Sequence, residues 1–285
     1  MQLLHTSDLM GRPELFESLA RAVAASRVDL LVLCGNSFPD DAASLPDEMG
    51  TRQPVYVLET FRPWLNALLK AHPALHVAMV FGNHDWLSSA LAVEEIAKHE
   101  PRLHLPAHDR PVELGGLTLV GYSRTPPTAC YVKDFERLDQ PGDPLPLVGG
   151  ARWNPARRRA VPGPAKTQFS SVPSMAEELE KMSVPSGPWV FIAGAPPFDT
   201  ALDRDWHREP VGSKAVRRAI ESRQPLLSLH GHVTSSPDVT GAWQETIGGT
   251  VAVNVGQHIS EICYALIEID VGGRRVVRLE AKRPQ

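Results

Sequence analysis

Five short apolar runs, each stopping abruptly at a polar or glycine-bearing turn, constrain this chain more than any other feature. Residues 2–6 end at Ser7-Asp8, 29–34 at Gly35-Asn36, 76–81 at Gly82-Asn83-His84-Asp85, 189–192 at Ala193-Gly194, and 226–229 at His230-Gly231-His232. A run apolar on every residue suits a strand covered on both faces. Helical spacing fills the intervals: Leu15, Leu19, Ala22 and Val23 follow the first run, and Phe61, Trp64, Leu65, Leu68 and Leu69 precede the third. Strand, helix, parallel strand is the order of an α/β fold, where ligands gather beyond the carboxyl ends of the strands. The five turns therefore predict one shared cleft.

The remaining chain reads in the same way. Val112–Tyr122 is a hairpin about the two-glycine turn Gly115-Gly116, and residues 250–255, 262–270 and 275–280 are consecutive strands. Pro13 opens a helix from its first position, Ser88 or Ser89 is placed to cap the helix carrying Leu91, Val93 and Ile96, and Ser213 caps one running to Arg223. Residues 37–54 read as a loop. With 26 prolines the chain has many rigid connections, and the least regular part is a proline-rich insertion at 135–188 in a single domain spanning 1–285. Within it Ser174-Met175-Ala176-Glu177 is a capping box. Arg152, Arg157, Arg158, Arg159 and Lys166, with Trp153 among them, form either a solvated surface loop or an anion-binding lid.

Composition excludes several classes. A net charge of −4, 42% hydrophobic and 22% charged residues describe an ordinary globular protein without the basic footprint of nucleic-acid binding. Cys34, Cys130 and Cys263 are few and widely spaced, as expected of buried thiols in a cytoplasmic protein. The amino terminus turns polar too soon for a signal peptide, and no apolar run approaches the roughly eighteen residues of a membrane span.

Asn, His and Asp at the end of a buried strand are costly unless they hold something, although Gly-Asn alone satisfies a tight turn. Taken together, Ser-Asp-Leu at 7–9, Gly-Asn-His-Asp at 82–85, Ala-Pro-Pro at 195–197, Gly-His at 231–232 and Val253-Asn254-Val255-Gly256 resemble the calcineurin-like metallophosphoesterase family over nearly the whole chain. The resemblance implies a metallo-dependent phosphatase-like fold, a four-layer α/β sandwich of two facing mixed β-sheets flanked by helices. It also implies two divalent cations bridged by one carboxylate, which polarise a phosphoryl oxygen and activate a water for in-line attack.

Carried over residue by residue, the resemblance makes Asp8, Asn36, Asn83 and His232 the metal positions and His84 the residue meeting the phosphate or leaving group. Asp85 reads either as the group that orients His84 or as a helix-start acid. Met10 stands where a histidine is expected, Asn36 where the bridging aspartate is, and Gly194 and Thr234 at two further histidine positions. A thioether is a poor ligand for hard cations, and a neutral amide supplies no charge to bridge two of them. His230 and His258 are the candidates for a rebuilt mononuclear site, while His5 reads as a core histidine. The expectation is at most one weakly bound divalent ion, Mn, Fe, Zn or Mg. The departures point to a pseudoenzyme or very weak hydrolase that binds a phosphate-containing small molecule or a protein partner, the anion meeting His84, His232 and the amino termini of the helices after Asp85 and Ser213. The alternative is an active phosphoesterase with a reduced metal site.

Overall fold

Successive strand residues point to opposite faces, so an apolar run must be covered twice. The computed structural model, which describes residues 1–41 and 48–284, shows what covers each face. In chain order the strands are β1 (Gln2–Thr6), β2 (Leu30–Cys34), β3 (His76–Val80), β4 (Leu103–His104), β5 (Val112–Leu114), β6 (Leu117–Tyr122) and β7 (Gly150–Asn154). They continue as β8 (Arg159–Gly163), β9 (Trp189–Ala193), β10 (Leu227–His230), β11 (Gln244–Ile247), β12 (Thr250–Asn254), β13 (Tyr264–Asp270) and β14 (Arg275–Lys282). The helices are α1 (Pro13–Ser26), α2 (Arg52–Tyr56), α3 (Arg62–Ala71), α4 (Leu87–Ala97), α5 (Ala165–Phe169), α6 (Met175–Glu180), α7 (Lys214–Arg223) and α8 (Ser236–Thr240).

Two six-stranded sheets, ordered β14-β13-β1-β2-β3-β4 and β11-β12-β10-β9-β6-β5, carry the fold. In the first, β1 to β4 are parallel and β13 joins β1 antiparallel. In the second, β6, β9, β10 and β12 are parallel, with antiparallel β5 and β11 at the edges. Strand alternation produces the layers. Leu31, Leu33, Val77 and Met79 pack under α1, α3 and α4, whereas Leu30, Val32, Ala78 and Val80 meet Leu119, Val190, Ile192 and Leu229 between the sheets. On the far side Val120, Phe191 and Ala252 pack against α6 and α7. This is the expected four-layer α/β sandwich of two mixed sheets.

Several local expectations hold for the expected reasons. Gly115 and Gly116 both take positive φ, +56° and +81°, as the two-residue turn of a hairpin requires. Ser174 and Glu177 form the capping box of α6, and Ser213 Oγ accepts from Val216 N at 3.0 Å at the start of α7. Among the described residues no helix is long and apolar enough to cross a membrane.

Others are corrected. Of the loop expected at 37–54, residues 42–47 lie outside the described residues, and helix begins at Arg52 rather than after Pro54. That helix widens to a π turn over Val57–Phe61 before re-forming as α3, immediately ahead of Pro63, which has no N–H for the carbonyl four residues back. Ser88 and Ser89 are not caps but buried residues within α4. The insertion is less irregular than its prolines suggest, because β7 pairs with β8 in a hairpin and α5 and α6 follow.

Candidate functional site

Four non-glycine residues of the cleft lining adopt the left-handed conformation: Asp8 and Met10 after β1 (φ 55° and 51°), Asn36 after β2 (φ 51°) and His232 after β10 (φ 62°). This backbone costs about 1–2 kcal/mol per residue and persists only where the surroundings over-determine it. The turns here are stitched to one another. Asp8 N donates to Gly35 O at 3.0 Å and Met10 N to Asn36 O at 2.9 Å. Asp85, fully buried, clamps two turns together: Oδ2 accepts from Asn36 N and Gly82 N, both at 2.9 Å, and Oδ1 from Phe38 N at 3.4 Å. Burial raises its pKa to about 6, against the lowering effect of those three N–H groups.

With its backbone held this way, Asn36 places its side-chain amide at the centre of the cleft. Asn36 Oδ1 accepts from His84 N at 2.9 Å. A backbone N–H only donates, so the amide orientation is fixed, with oxygen towards His84 and the NH2 group towards the other turns. That NH2 group donates to Asp8 Oδ1 at 2.8 Å and Asn83 Oδ1 at 3.1 Å. Asn83 Oδ1 also faces His232 Nδ1 at 3.0 Å, which makes Nδ1 the protonated ring nitrogen. His232 N donates to Asp8 Oδ2 at 2.9 Å. Asp8, Asn36, Asn83 and His232 thus close into a single hydrogen-bonded ring.

The two cleft histidines differ in charge. Burial lowers the His232 pKa, and the His84 charge adds to this against the attraction of Asp8, so its imidazole is neutral with an accepting Nε2. For His84 burial also acts downward, but hydrogen bonding to Asp40 and Cys130 and their charges prevail and raise it to about 10. His84 Nδ1 lies 3.5 Å from Asp40 Oδ2 and 3.8 Å from Cys130 Sγ. The carboxylate beside His84 is therefore Asp40. The expectation that Asp85 orients His84 is corrected, because both Asp85 oxygens are taken by backbone N–H groups.

A cavity of 480 Å³ opens over this ring. Asp8, Met10, Asn36, Asn83, His84, His232 and Thr234 line it, together with Arg12, Thr128, Cys130 and Gln257, which sequence reasoning does not place there. Arg12 sits two residues beyond Met10 and its position is the available signal, whereas nothing in the sequence ties 128–130 to the strand ends. Cys130 is corrected from a buried thiol to one facing the cleft. His230 is corrected as well. It is fully buried, with Nδ1 2.9 Å from Ala193 O and Nε2 2.7 Å from Ser228 Oγ, because the left-handed turn at His232 breaks the strand alternation that would have put both rings on one face. His258 is exposed, beside Ser260, and Gly194 lies behind the cavity, accepting from Gly231 N at 3.0 Å.

The donor set does not fit the two divalent ions that the resemblance implies. Among the described residues Asp8 is the only carboxylate in the lining. Both its oxygens accept hydrogen bonds, and the Asn36 NH2 group directs its hydrogens at the oxygens a cation would need. Among the described residues no group of three or more His, Cys, Asp or Glu side chains is placed to hold a metal ion.

The two helix amino termini expected to receive an anion are already filled. At α4, Trp86 N donates to Gln53 Oε1 and Leu87 N to Asp134 Oδ2, each at 2.8 Å. At α7, Asp139 accepts from Lys214 N at 2.8 Å, from Ala215 N at 3.3 Å and from the Ser213 hydroxyl. The chain supplies its own anions at both.

The calcineurin-like phosphoesterase family model matches residues 1–235. No curated protein matches the chain. One solved structure superposes with a TM-score of 0.61 over 98% of both chains at 18% identity. The Thermus thermophilus protein TT1561 superposes with a TM-score of 0.55 over 99% of this chain and 97% of its own at 20% identity. At these identities the likeness is one of fold.

Proposed function

Because the chain belongs to the calcineurin-like phosphoesterase family, we propose that it keeps the strand-end cleft of that family and uses it to bind a phosphate-bearing ligand, free or on a partner protein, without two-metal hydrolysis. The observation that carries this reading is the Asn36 amide, whose orientation is set by His84 N and whose hydrogens close the ring through Asp8 and Asn83. Two cations face the cavity, the His84 imidazolium and Arg12, whose Nη1 donates to Ile259 O at 3.3 Å. The charge of Asp8 is satisfied inside the ring. A phosphate oxygen meets His84 and Arg12, and a hydroxyl of the ligand meets the accepting Nε2 of His232. A cytoplasmic setting is part of the proposal, supported by three unpaired thiols.

The test is hydrolysis of bis(4-nitrophenyl) phosphate with Mn²⁺ present. The unaltered protein is expected to stay at the level of buffer. The fourfold variant Met10→His, Asn36→Asp, Gly194→His, Thr234→His is expected to turn over substrate. Space at Gly194 permits this, since an added Cβ meets nothing closer than Thr125 Cγ2 at 3.7 Å. Rapid turnover by the unaltered protein, lost in His84→Ala, would overturn the proposal.

A further inference from the structure

Arg152 belongs to the basic stretch of the insertion, yet it does not point to solvent with Arg157 and Arg158. It turns inward to a second cavity of 410 Å³, where it joins Arg124 and Arg137. This cavity shares no lining residue with the strand-end cleft among the described residues. The three guanidinium groups are held by shared acceptors. Arg137 and Arg152 both donate to the carbonyls of Asp134 and Glu136, at 2.8–3.3 Å. Arg124 and Arg137 share the Glu178 carboxylate, at 3.6 and 3.4 Å.

Acceptors run out before donors do. Glu178 also accepts from the Tyr122 hydroxyl at 2.9 Å, and the Asp134 oxygens are taken by Leu87 N and Trp153 N. Glu136 is paired with buried Lys133 at 2.7 Å. The Nε–H groups of Arg124 and Arg152 are buried without a hydrogen-bond partner among the described residues, the Arg124 Nε having only the 3.6 Å ion pair with Glu178. Burial and mutual repulsion lower the Arg137 pKa to about 10. The lining also includes the exposed Arg110, Asp109 and Glu94.

The remaining wall is apolar. Phe81 and Phe135 stack at 5.4 Å between centroids, Arg124 lies over the Phe135 ring at 5.4 Å, and Met79, Leu87 and Trp153 complete the surface. Arg124 Nη1 also donates to Ser123 O, a long contact at 3.4 Å. We propose that this cavity is a second binding site, for a small organic anion whose carboxylate or phosphate head meets the arginines and whose flat apolar body lies against the partly exposed Leu87, Leu105 and Trp153. The volume lies within the range of small-molecule sites, about 300–1,000 Å³.

Calorimetric titration with 1-naphthoate and 1-naphthyl phosphate tests this, with neutral 1-naphthalenemethanol as control. One 1-naphthoate per chain is expected to bind with Kd below about 1 mM, 1-naphthyl phosphate is expected to fill both this cavity and the strand-end cleft, and Arg124→Gln is expected to weaken naphthoate binding at least about tenfold. His84→Gln, in the other cleft, is expected to remove only the second equivalent of 1-naphthyl phosphate and to leave 1-naphthoate binding as it was. Intrinsic tryptophan fluorescence of the unaltered protein, to which Trp153 in the cavity lining contributes, gives a second readout that needs no variant to fold, and it is expected to change with the same saturation curve. Absence of saturable 1-naphthoate binding, equal affinity for the neutral control, or 1-naphthoate binding lost in His84→Gln and kept in Arg124→Gln would overturn the proposal.

Discussion

At Asn36 one amide uses its oxygen and both its hydrogens at once, on His84 N, Asp8 and Asn83. Hydrogen bonds to an ionised group contribute about 1.5–3 kcal/mol, which offsets the left-handed backbone at this position. Asp85 has a comparable role below it. Removal of its carboxylate leaves the N–H groups of Asn36, Gly82 and Phe38 without an acceptor, so Asp85→Ala is expected to lower unfolding free energy by about 2–4 kcal/mol in a denaturant titration. A loss under about 0.5 kcal/mol would mean that Asp85 is no clamp. That Asn36 and Asp85 belong to the site is legible in the sequence, because each ends or follows an apolar run. Their partners are not legible, because the group that orients Asn36 is a backbone N–H 48 residues away, and backbone donors leave no mark in residue identity.

The same limit appears among the elements. Strands, the Gly115-Gly116 hairpin and the α6 capping box are written within a few residues, and the sequence shows them directly. The first amides of α4 and α7 are also satisfied by Asp134 and Asp139, 47 and 75 residues away; at α7 this adds to the local cap Ser213, whereas at α4 it takes the place of the cap that Ser88 or Ser89 would have supplied. These carboxylates also fasten the insertion to both halves of the sandwich. Asp139→Ala is expected to destabilise the protein by about 1–2 kcal/mol, the usual value of a cap. Amide hydrogen exchange should show the loss concentrated in the first turn of α7, with α1 unchanged; uniform loss across both helices would argue against a cap.

Across the whole molecule, two buried histidines join the sheets at the strand ends. His5 Nε2 lies 2.8 Å from His230 O, and burial lowers the two pKa values to about 3 and about 4. The unfolded chain, with histidines near 6.5, binds protons that the folded chain refuses. The contribution of these two histidines is therefore complete above about pH 6.5 and falls as pH drops towards 4, by up to about 1.4 kcal/mol per pH unit for each. Asp85, raised to about 6, takes up its proton in the folded state first and opposes this over part of the window, whereas neutral His232, its pKa lowered by burial, adds to it. Urea titrations between pH 7 and pH 5 should show stability declining, and a flat or rising profile would contradict the buried neutral assignment. The scaffold of the family is intact around these residues, and its centre is held by hydrogen bonds through Asn36. The direct test is the metal content of protein purified in excess Mn²⁺ or Zn²⁺ and then desalted. Fewer than two ions per chain are predicted, whereas two tightly held ions would show that the Asn36 ring opens to admit them and would contradict the account.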